Sequence, residues 1–230
     1  LETQVNVFNN KGDLGGSRVE MRKRLLKVAK EKEMNEKERI QRSWMSEGVA
    51  MFDEILRNSN ENLQDLGYTV LGKLIDYLDA NQAALYVLND DQDEDSVFFE
   101  LVSTIAFGRR KLREQRIEIG EGLVGRCAFE KQTIYMTEVP EDYVNITSGL
   151  GTAPPRSILI VPVFLDEKVY GVIEMASFNE FSKVQIAFAE KIAGNIASTI
   201  SNTKNRRKTE MLLRRSQEQA EEIATKDLSS

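Results

Sequence analysis

The 230-residue chain carries a net charge of −6, is 41% hydrophobic, and contains one cysteine and no histidine. That length supports one good hydrophobic core with appendages, since domains usually run about 100 to 200 residues. The missing histidines remove the commonest metal ligand, the commonest general base and the phosphoacceptor of histidine kinases, and a lone cysteine rules out an internal disulfide framework. No stripe combines Lys and Arg with aromatics, so nucleic acid is not an expected partner.

Residues 1–16 cluster Asn, Gly and Asp without an apolar period and read as a flexible or linker segment. The chain begins at Leu1 rather than at a signal peptide, as an excised piece of a longer protein would, and no stretch approaches the roughly 20 apolar residues that cross a bilayer, so a soluble, cytoplasmic piece is expected. From Ser17 to Asn58 there is no Pro and only Gly48 as a glycine, which predicts one long helix whose apolar seam strengthens through Ile40, Trp44, Met51 and Ile55. Leu63, Leu66, Val70, Leu74 and Leu78 step by three and four and predict a second, amphipathic helix, with Asn60 or Asn62 as its cap.

Ala83 to Leu88 and Val97 to Phe107 are strand-like and flank an acidic run, Asp90 to Asp95, so they predict an antiparallel hairpin. The acidic run lacks the Gly and closing Glu of an EF-hand loop and reads as solvated. A basic loop, Arg109 to Arg116, leads through Ile117 to Ile119 into Gly120-Glu121-Gly122-Leu123-Val124-Gly125-Arg126-Cys127, a turn opening a short helix. Thr133 to Thr137 alternates like a strand. Val139 to Ser157 then holds three of the four prolines, and regular structure is not expected across it. Ile158 to Phe164 and Val169 to Phe178 predict a second hairpin at the centre of the sheet. From Lys183 a last helix begins, with Phe188, Ile192, Ile196 and Ile200 spaced by four. Beyond Asn202 its apolar residues thin to an interrupted seam.

This order of elements, with Gly-Glu-Gly-Leu-Val-Gly at 120–125, Val161-Pro162-Val163 and Gly171-Val172-Ile173-Glu174, resembles the GAF family over Phe52 to Asn202. The resemblance implies an α+β domain: a central antiparallel sheet with helices on one face, a small-molecule pocket on the other roofed by loops, and long flanking helices. The flanking segments, Trp44 to Arg57 and Leu212 to Glu222, look like the helices around GAF modules of large bacterial signalling proteins, including hybrid kinases. Gly12-Asp13-Leu14-Gly15 with Met21-Arg22 resembles the end of a HAMP linker. The organisation implied is a linker remnant at 1–16, an N-terminal signalling helix at 17–51, the GAF domain at 52–202 and a C-terminal signalling helix or coiled coil at 203–230. The parent protein would span a membrane upstream and continue downstream into an output domain.

Cyclic-nucleotide-binding GAF domains carry Asn-Lys, then Phe, then Asp-Glu; here Glu180 follows Asn179, and Gln185 follows Phe181 by four, which argues against that ligand. Bilin-binding relatives place His beside their Cys, and none is present. Relatives that reduce free methionine sulfoxide use cysteines that resolve one another, whereas Cys127 is alone. Cys127 itself reads either as a redox thiol activated by Arg126 or, more simply, as a small buried apolar residue.

The candidate ligand contacts are Phe107 and Arg109 after the second strand, Tyr143, Thr147, Ser148, Gly149 and Arg156 in the long loop, and Glu174 in mid-strand. Arg156 is the expected anchor for an anionic ligand, with pairing to a surface acid as the alternative. An unpaired carboxylate at Glu174 is costly inside a sheet, so it must face the pocket or meet a partner. No catalytic residue, metal or cofactor is expected, and the chain reads as a non-enzymatic sensory module, or alternatively as a ligand-free structural relay, with an enzyme of the GAF fold as the third alternative. A homodimer is expected through Trp44 to Leu56 and Ile192 to Leu213, which carry apolar stripes beyond what one domain face can cover.

Overall fold

The computed structural model describes residues 11–58, 62–90, 97–106, 109–110, 116–140, 143–144, 146–148 and 151–227. Helix α1 spans Lys11–Arg57, α2 Leu63–Leu78, α3 Gly122–Glu130 and α4 Lys183–Asp227. The strands are β1 Gln82–Asn89, β2 Phe98–Ala106, β3 Arg109–Arg110, β4 Arg116–Glu118, β5 Ile134–Met136, β6 Ile146–Ser148, β7 Gly151–Ala153, β8 Ser157–Leu165 and β9 Lys168–Ser177.

Two compact units divide the chain after Glu47. The first is α1 up to that point, a solvent-exposed helix knitted by pairs one turn apart, among them Glu33–Lys37 at 2.8 Å and Glu36–Arg39 at 2.6 Å. Such exposed pairs each contribute only about 0.3–0.5 kcal/mol, so they favour helix without fixing it to anything. This helix begins at Lys11, six residues before the Ser17 read from sequence, so residues 11–16 are helical where a loop or frayed end was expected. The glycines that argued against helix there cost only about 1 kcal/mol each, which a helix this long absorbs. Residues 1–10 lie outside the described ones.

The second unit, from Gly48, is an α+β domain built on a seven-stranded antiparallel sheet in the order β3-β2-β1-β9-β8-β5, with β4 also pairing β2. β8 and β9 are joined by Asp166 and Glu167 alone, both at positive φ (47° and 67°). That is the backbone sense of a two-residue hairpin turn whose twist matches the strands. One face of the sheet is covered by α2 and α4. In α2 the buried stripe is Leu66, Val70, Leu71, Leu74 and Leu78, and Asn62 caps the helix by accepting from the amide of Gln64 at 2.9 Å. In α4 Phe188, Ile192, Ile196 and Ile200 are buried together with Ala189, Ala193 and Ala197, small side chains that let the helix lie close on β8 and β9. Phe52 near the end of α1 meets Phe188 edge-on at 5.6 Å, and Tyr77 of α2 stacks on the same ring at 4.8 Å.

These contacts alter the expected dimer seam. Phe52, Leu56, Ile192, Ile196 and Ile200 are consumed by their own domain, at 7% exposure or less. The uncovered apolar side chains lie further out, at Val19, Met21, Leu25, Leu26, Val28, Met34 and Ile40 on α1 and at Met211, Leu212 and Leu213 on α4.

The opposite face of the sheet is covered by α3 and by Val139, Tyr143, Val144 and Ile146. Within the long loop, β6 and β7 pair in register Ile146↔Ala153 to Ser148↔Gly151, a small hairpin where regular structure was not expected. The prolines at 140, 154 and 155 flank the pairing rather than interrupt it, which is why they do not forbid it. The basic stretch after β2 likewise starts and ends as strand, β3 and β4. Among the described residues no helix is long and apolar enough to cross a membrane.

The Asp166-Glu167 turn yields a stability prediction. Asn-Gly is the sequence that positive φ at both positions favours, and Glu167 gives up only an exposed pair with Lys131. The double substitution Asp166→Asn, Glu167→Gly should raise stability by about 0.5–1 kcal/mol, read as a higher midpoint in urea with an unchanged slope; a lower midpoint refutes this account of the turn.

Candidate functional site

Side chains on a strand alternate between faces, so β9 sends Ile173 and Met175 toward α4 while Val172, Glu174 and Ala176 face the other way. On β1, the partners of those three are Tyr86, Ala84 and Gln82 in register. β2 follows the same alternation only because of a bulge: Leu85 pairs with Ser103 and Tyr86 with Leu101, leaving Val102 extra. The extra residue flips the parity, so Phe99 and Leu101 before it and Thr104 and Ala106 after it all serve the same face. Without the bulge, half of these side chains would point at α2.

On that face lies a cavity of about 440 Å³. Its floor includes Ala84, Tyr86, Leu101, Glu174 and Ala176; Leu123 and Val124 of α3 form one wall, and Tyr143 and Val144 close it from the long loop. The floor is roomy because alanine recurs where strands usually carry larger residues. α3 can approach because Gly125 sits where a Cβ would overlap the carbonyl oxygen of Glu118.

Glu174 is the polar centre of the cavity. Tyr143 donates its hydroxyl to Oε1 at 2.8 Å, and Tyr86 donates to Oε2 at 3.5 Å. Burial pushes the Glu174 carboxyl above its ordinary range, and the two tyrosine hydrogen bonds only partly offset this. Tyr143 is pushed up too, by burial and then by the neighbouring carboxylate, so it stays a neutral donor. The side chain is deeply sunk yet not fully covered, because part of its surface faces the void.

The remaining sequence candidates divide. Tyr143 and Glu174 come together in the lining of the cavity. Arg156 does not: it lies outside the lining, exposed, with its Nε and Nη2 donating to one carboxylate oxygen of Glu180 at 2.9 and 2.7 Å. Arg156 therefore takes the alternative read for it, a surface ion pair, with Glu180 supplying the opposite charge. Arg109 is in β3, opposite Ala106, and Thr147 and Ser148 are in β6, but their side chains lie outside the described ones. Phe107 and Gly149 lie outside the described residues altogether. Sequence reading missed Tyr86, whose alternation with Ala84 on β1 was the available signal.

Cys127 is fully buried, donates to the carbonyl of Ile160 at 3.7 Å, and has its thiol pushed up to about 12 by burial and then by Glu130. Arg126, the expected activator, is instead paired with Glu130 at 2.8 Å. The residue is a protonated core side chain, as the simpler reading had it. The positions of the altered nucleotide signature are structural. Asn179 donates to Asp79 at 2.9 Å, and Gln185 donates to the carbonyl of Leu78 at 3.0 Å, both at the junction of β9 and α4. A second hollow, of about 670 Å³, is an open polar groove between α1 and α4 beside Asp53 and Asn195, which bond each other at 2.7 Å.

The GAF domain family model matches residues 60–201, more than half of the chain, and the chain belongs to that family. No curated protein matches it. Among solved structures it is similar to the GAF domain of a phosphoenolpyruvate-protein phosphotransferase from Coxiella burnetii, at 19% identity and a TM-score of 0.56, covering 70% of this chain and 95% of that one. It is also similar to the free methionine-R-sulfoxide reductase of Neisseria meningitidis, solved with its substrate, at 15% identity and a TM-score of 0.54 over 70% of this chain and 91% of that one. A third is the corresponding Staphylococcus aureus reductase in reduced form, at 18% identity and 0.52, over 68% and 94%.

These neighbours correct one expectation. The chain was read as non-enzymatic, yet the frame it shares is one on which reductases are built, so the exclusion drawn from its missing histidines does not stand.

The raised carboxyl of Glu174 has a consequence for stability. A carboxyl whose folded value exceeds its unfolded one favours the folded state fully below the unfolded value, and that contribution is lost as pH rises toward the folded value. Tyr143 and Cys127 beside it are pushed upward from ordinary values of about 8.5 or above, so they do not ionise in that window. Glu174→Gln should therefore match or exceed the wild-type melting temperature at pH 8 and show a flatter decline between pH 5 and 8. An equal slope in both proteins would mean that Glu174 is not the group responsible.

Proposed function

We propose that this GAF domain is a sensory module of a bacterial signalling protein, in which a small molecule held in the Glu174 cavity biases the packing of α4, and dimeric flanking helices carry that state to an output domain of the same parent chain. The observation that carries this reading is the double duty of β9. Glu174 faces the cavity, while its neighbours Ile173 and Met175 are buried under α4, so a shift of the strand is felt on both sides. Interiors are close-packed and respond to such shifts by switching between arrangements rather than by yielding continuously.

The three-ring contact of Phe52, Tyr77 and Phe188 supports a route from the cavity-bearing sheet to the end of α1 as well as to α4. Dimerisation is supported by the uncovered apolar side chains on both helices, which a monomer leaves in water. A ligand-free relay would fill its cavity with its own large side chains, and the alanine-rich floor speaks against it.

The full chain is expected to be a dimer by multi-angle light scattering at high micromolar concentration, with Leu213→Glu shifting it toward monomer while its unfolding free energy stays within about 1 kcal/mol of wild type, because Leu213 is exposed in one chain. A monomeric wild type removes the dimeric relay. Native mass spectrometry of the same sample reads any retained small molecule directly.

A further inference from the structure

The last partly buried residues of α4 among the described ones are Ser201, Thr203 and Lys204, one turn past Ile200, where the apolar stripe ends. Polar contacts hold this turn instead. Ser201 donates its hydroxyl to the Tyr170 oxygen at 2.9 Å. The Lys204 ammonium donates to the carbonyl of Leu88 and to one oxygen of Asp90, whose other oxygen pairs with Lys168 at 3.0 Å. The Lys168 ammonium in turn lies 5.4 Å from the centre of the Tyr170 ring. Side-chain exposure is 18% for Lys204 and 25% for Asp90, so the pair is shielded from the screening that makes surface pairs weak.

The strands present these groups through an irregularity. β8 and β9 pair Val163 with Gly171 and Phe164 with Val169, which leaves Tyr170 extra. Unbroken alternation from Glu174 and Val172 would put Tyr170 on the cavity side. The bulge reverses this: Val169 packs with the cavity-side cluster, and Tyr170 reaches α4. On β1 the pairing with β9 ends at Val87↔Gly171, and Lys204 takes the carbonyl one residue further on. The two strands that carry these contacts also floor the cavity, through Ala84 and Tyr86 on β1 and Glu174 and Ala176 on β9. Between the cavity and the contacts the strands make a close approach at Gly171, where a Cβ would overlap the carbonyl oxygen of Tyr86.

Resting on the reading of this domain as a sensor, we propose that Tyr170, Lys168, Asp90 and the Leu88 carbonyl form a clasp on Ser201 and Lys204 that sets where α4 becomes free of the domain. Closed, the clasp holds the helix as far as Lys204. Open, it lets go from Ser201, so the free part begins about 6 Å earlier along the helix. Polar contacts suit this task better than an apolar stripe, because hydrogen bonds weaken steeply with distance and angle, whereas hydrophobic attraction has no direction. A partly buried ammonium that loses its carboxylate is also costly to leave in place, so the contacts are kept or lost together. A small change in the spacing of β1 and β9 at the cavity is thereby converted into one turn of α4 held or released.

The test is amide hydrogen exchange of the full chain, read by mass spectrometry over residues 199–206 and over 188–198. Lys204→Met keeps the aliphatic stem and removes the ammonium, and Asp90→Asn removes the opposite charge. Each should speed exchange over 199–206 by about tenfold and leave 188–198 within about twofold of wild type. Because the contacts act as one unit, the double variant should exceed the stronger single one by no more than about twofold. Should Lys204→Met fold poorly, Tyr170→Phe with Ser201→Ala removes only the hydroxyl link and should loosen the same residues. Wild-type rates over 199–206 in the folded variants overturn the clasp. So do effects that multiply in the double variant, and so does acceleration spread equally over 188–198, which marks these contacts as ordinary stabilisers of the whole helix. Any of these results leaves the cavity and the dimer standing. A monomeric chain whose variants still loosen 199–206 removes the dimeric relay and leaves the clasp.

Discussion

The domain depends on one strand being covered from both sides. β9 is hydrogen-bonded to β1 along one edge and β8 along the other, and its alternate side chains are buried under α4 on one face and under α3 and the cavity on the other. A strand in that position cannot slip by one residue without sending Glu174 into the α4 interface and Met175 into the cavity. Gly171 locks the pairing further, since a Cβ there would overlap the carbonyl oxygen of Tyr86. Register, cavity and helix packing are therefore fixed by the same few residues.

α4 is pinned over the sheet at two places. At its start, Gln185 reaches back to the carbonyl of Leu78, and a cluster of short side chains joins the ends of α2, β8 and β9. There Ser177 donates to the Asp79 carbonyl at 2.9 Å, and Ser157 donates to that of Asn179 at 2.6 Å. Further along, Lys204 donates to the carbonyl of Leu88 and to Asp90, which also pairs with Lys168 at 3.0 Å. Burial of Asp90 opposes ionisation, but the two lysines outweigh it and hold its carboxyl below the ordinary value. From Asn205 to Glu221 the helix is exposed, so the sheet defines the direction in which α4 leaves and then releases it.

Much of this was legible in the residues. The spacing of Leu66, Val70, Leu74 and Leu78 gave α2, that of Phe188, Ile192, Ile196 and Ile200 gave α4, and the two apolar runs around Asp166-Glu167 gave the central hairpin, because burial on one face or on both leaves a period that composition cannot hide. Glu174 stood out because a carboxylate in such a run needs an explanation. What stayed hidden was non-local. The bulge at Val102 sets which residues of β2 face the cavity, and nothing in Leu101-Val102-Ser103 marks it. Arg156 offered the right chemistry for a ligand but met Glu180, 24 positions away in the chain. Part of the seam expected for dimerisation is covered within the domain for the same reason: a stripe on Ile192 to Ile200 looks alike whether it meets a sheet or a second helix.

The contrast between Cys127 and Glu174 shows what burial does to chemistry in this frame. Both sit on the same covered face, one on α3 and one on β9, and both are pushed toward their neutral forms. For the thiol, neutrality is compatible with its surroundings, because it needs only the Ile160 carbonyl and loses nothing by staying protonated. For the carboxyl it is not a resting solution, because two tyrosines already donate to it and favour the charged form against the burial that opposes it. A group held between two such tendencies responds strongly to a small change in its surroundings, and β9 joins it through Ile173 and Met175 to the helix that leaves the domain. Under the proposed function, a molecule that stabilises one form of Glu174 would bias α4 only as far as its affinity differed between two arrangements of that strand, so the geometry at this one carboxylate, rather than the size of the cavity, would set the limit on coupling.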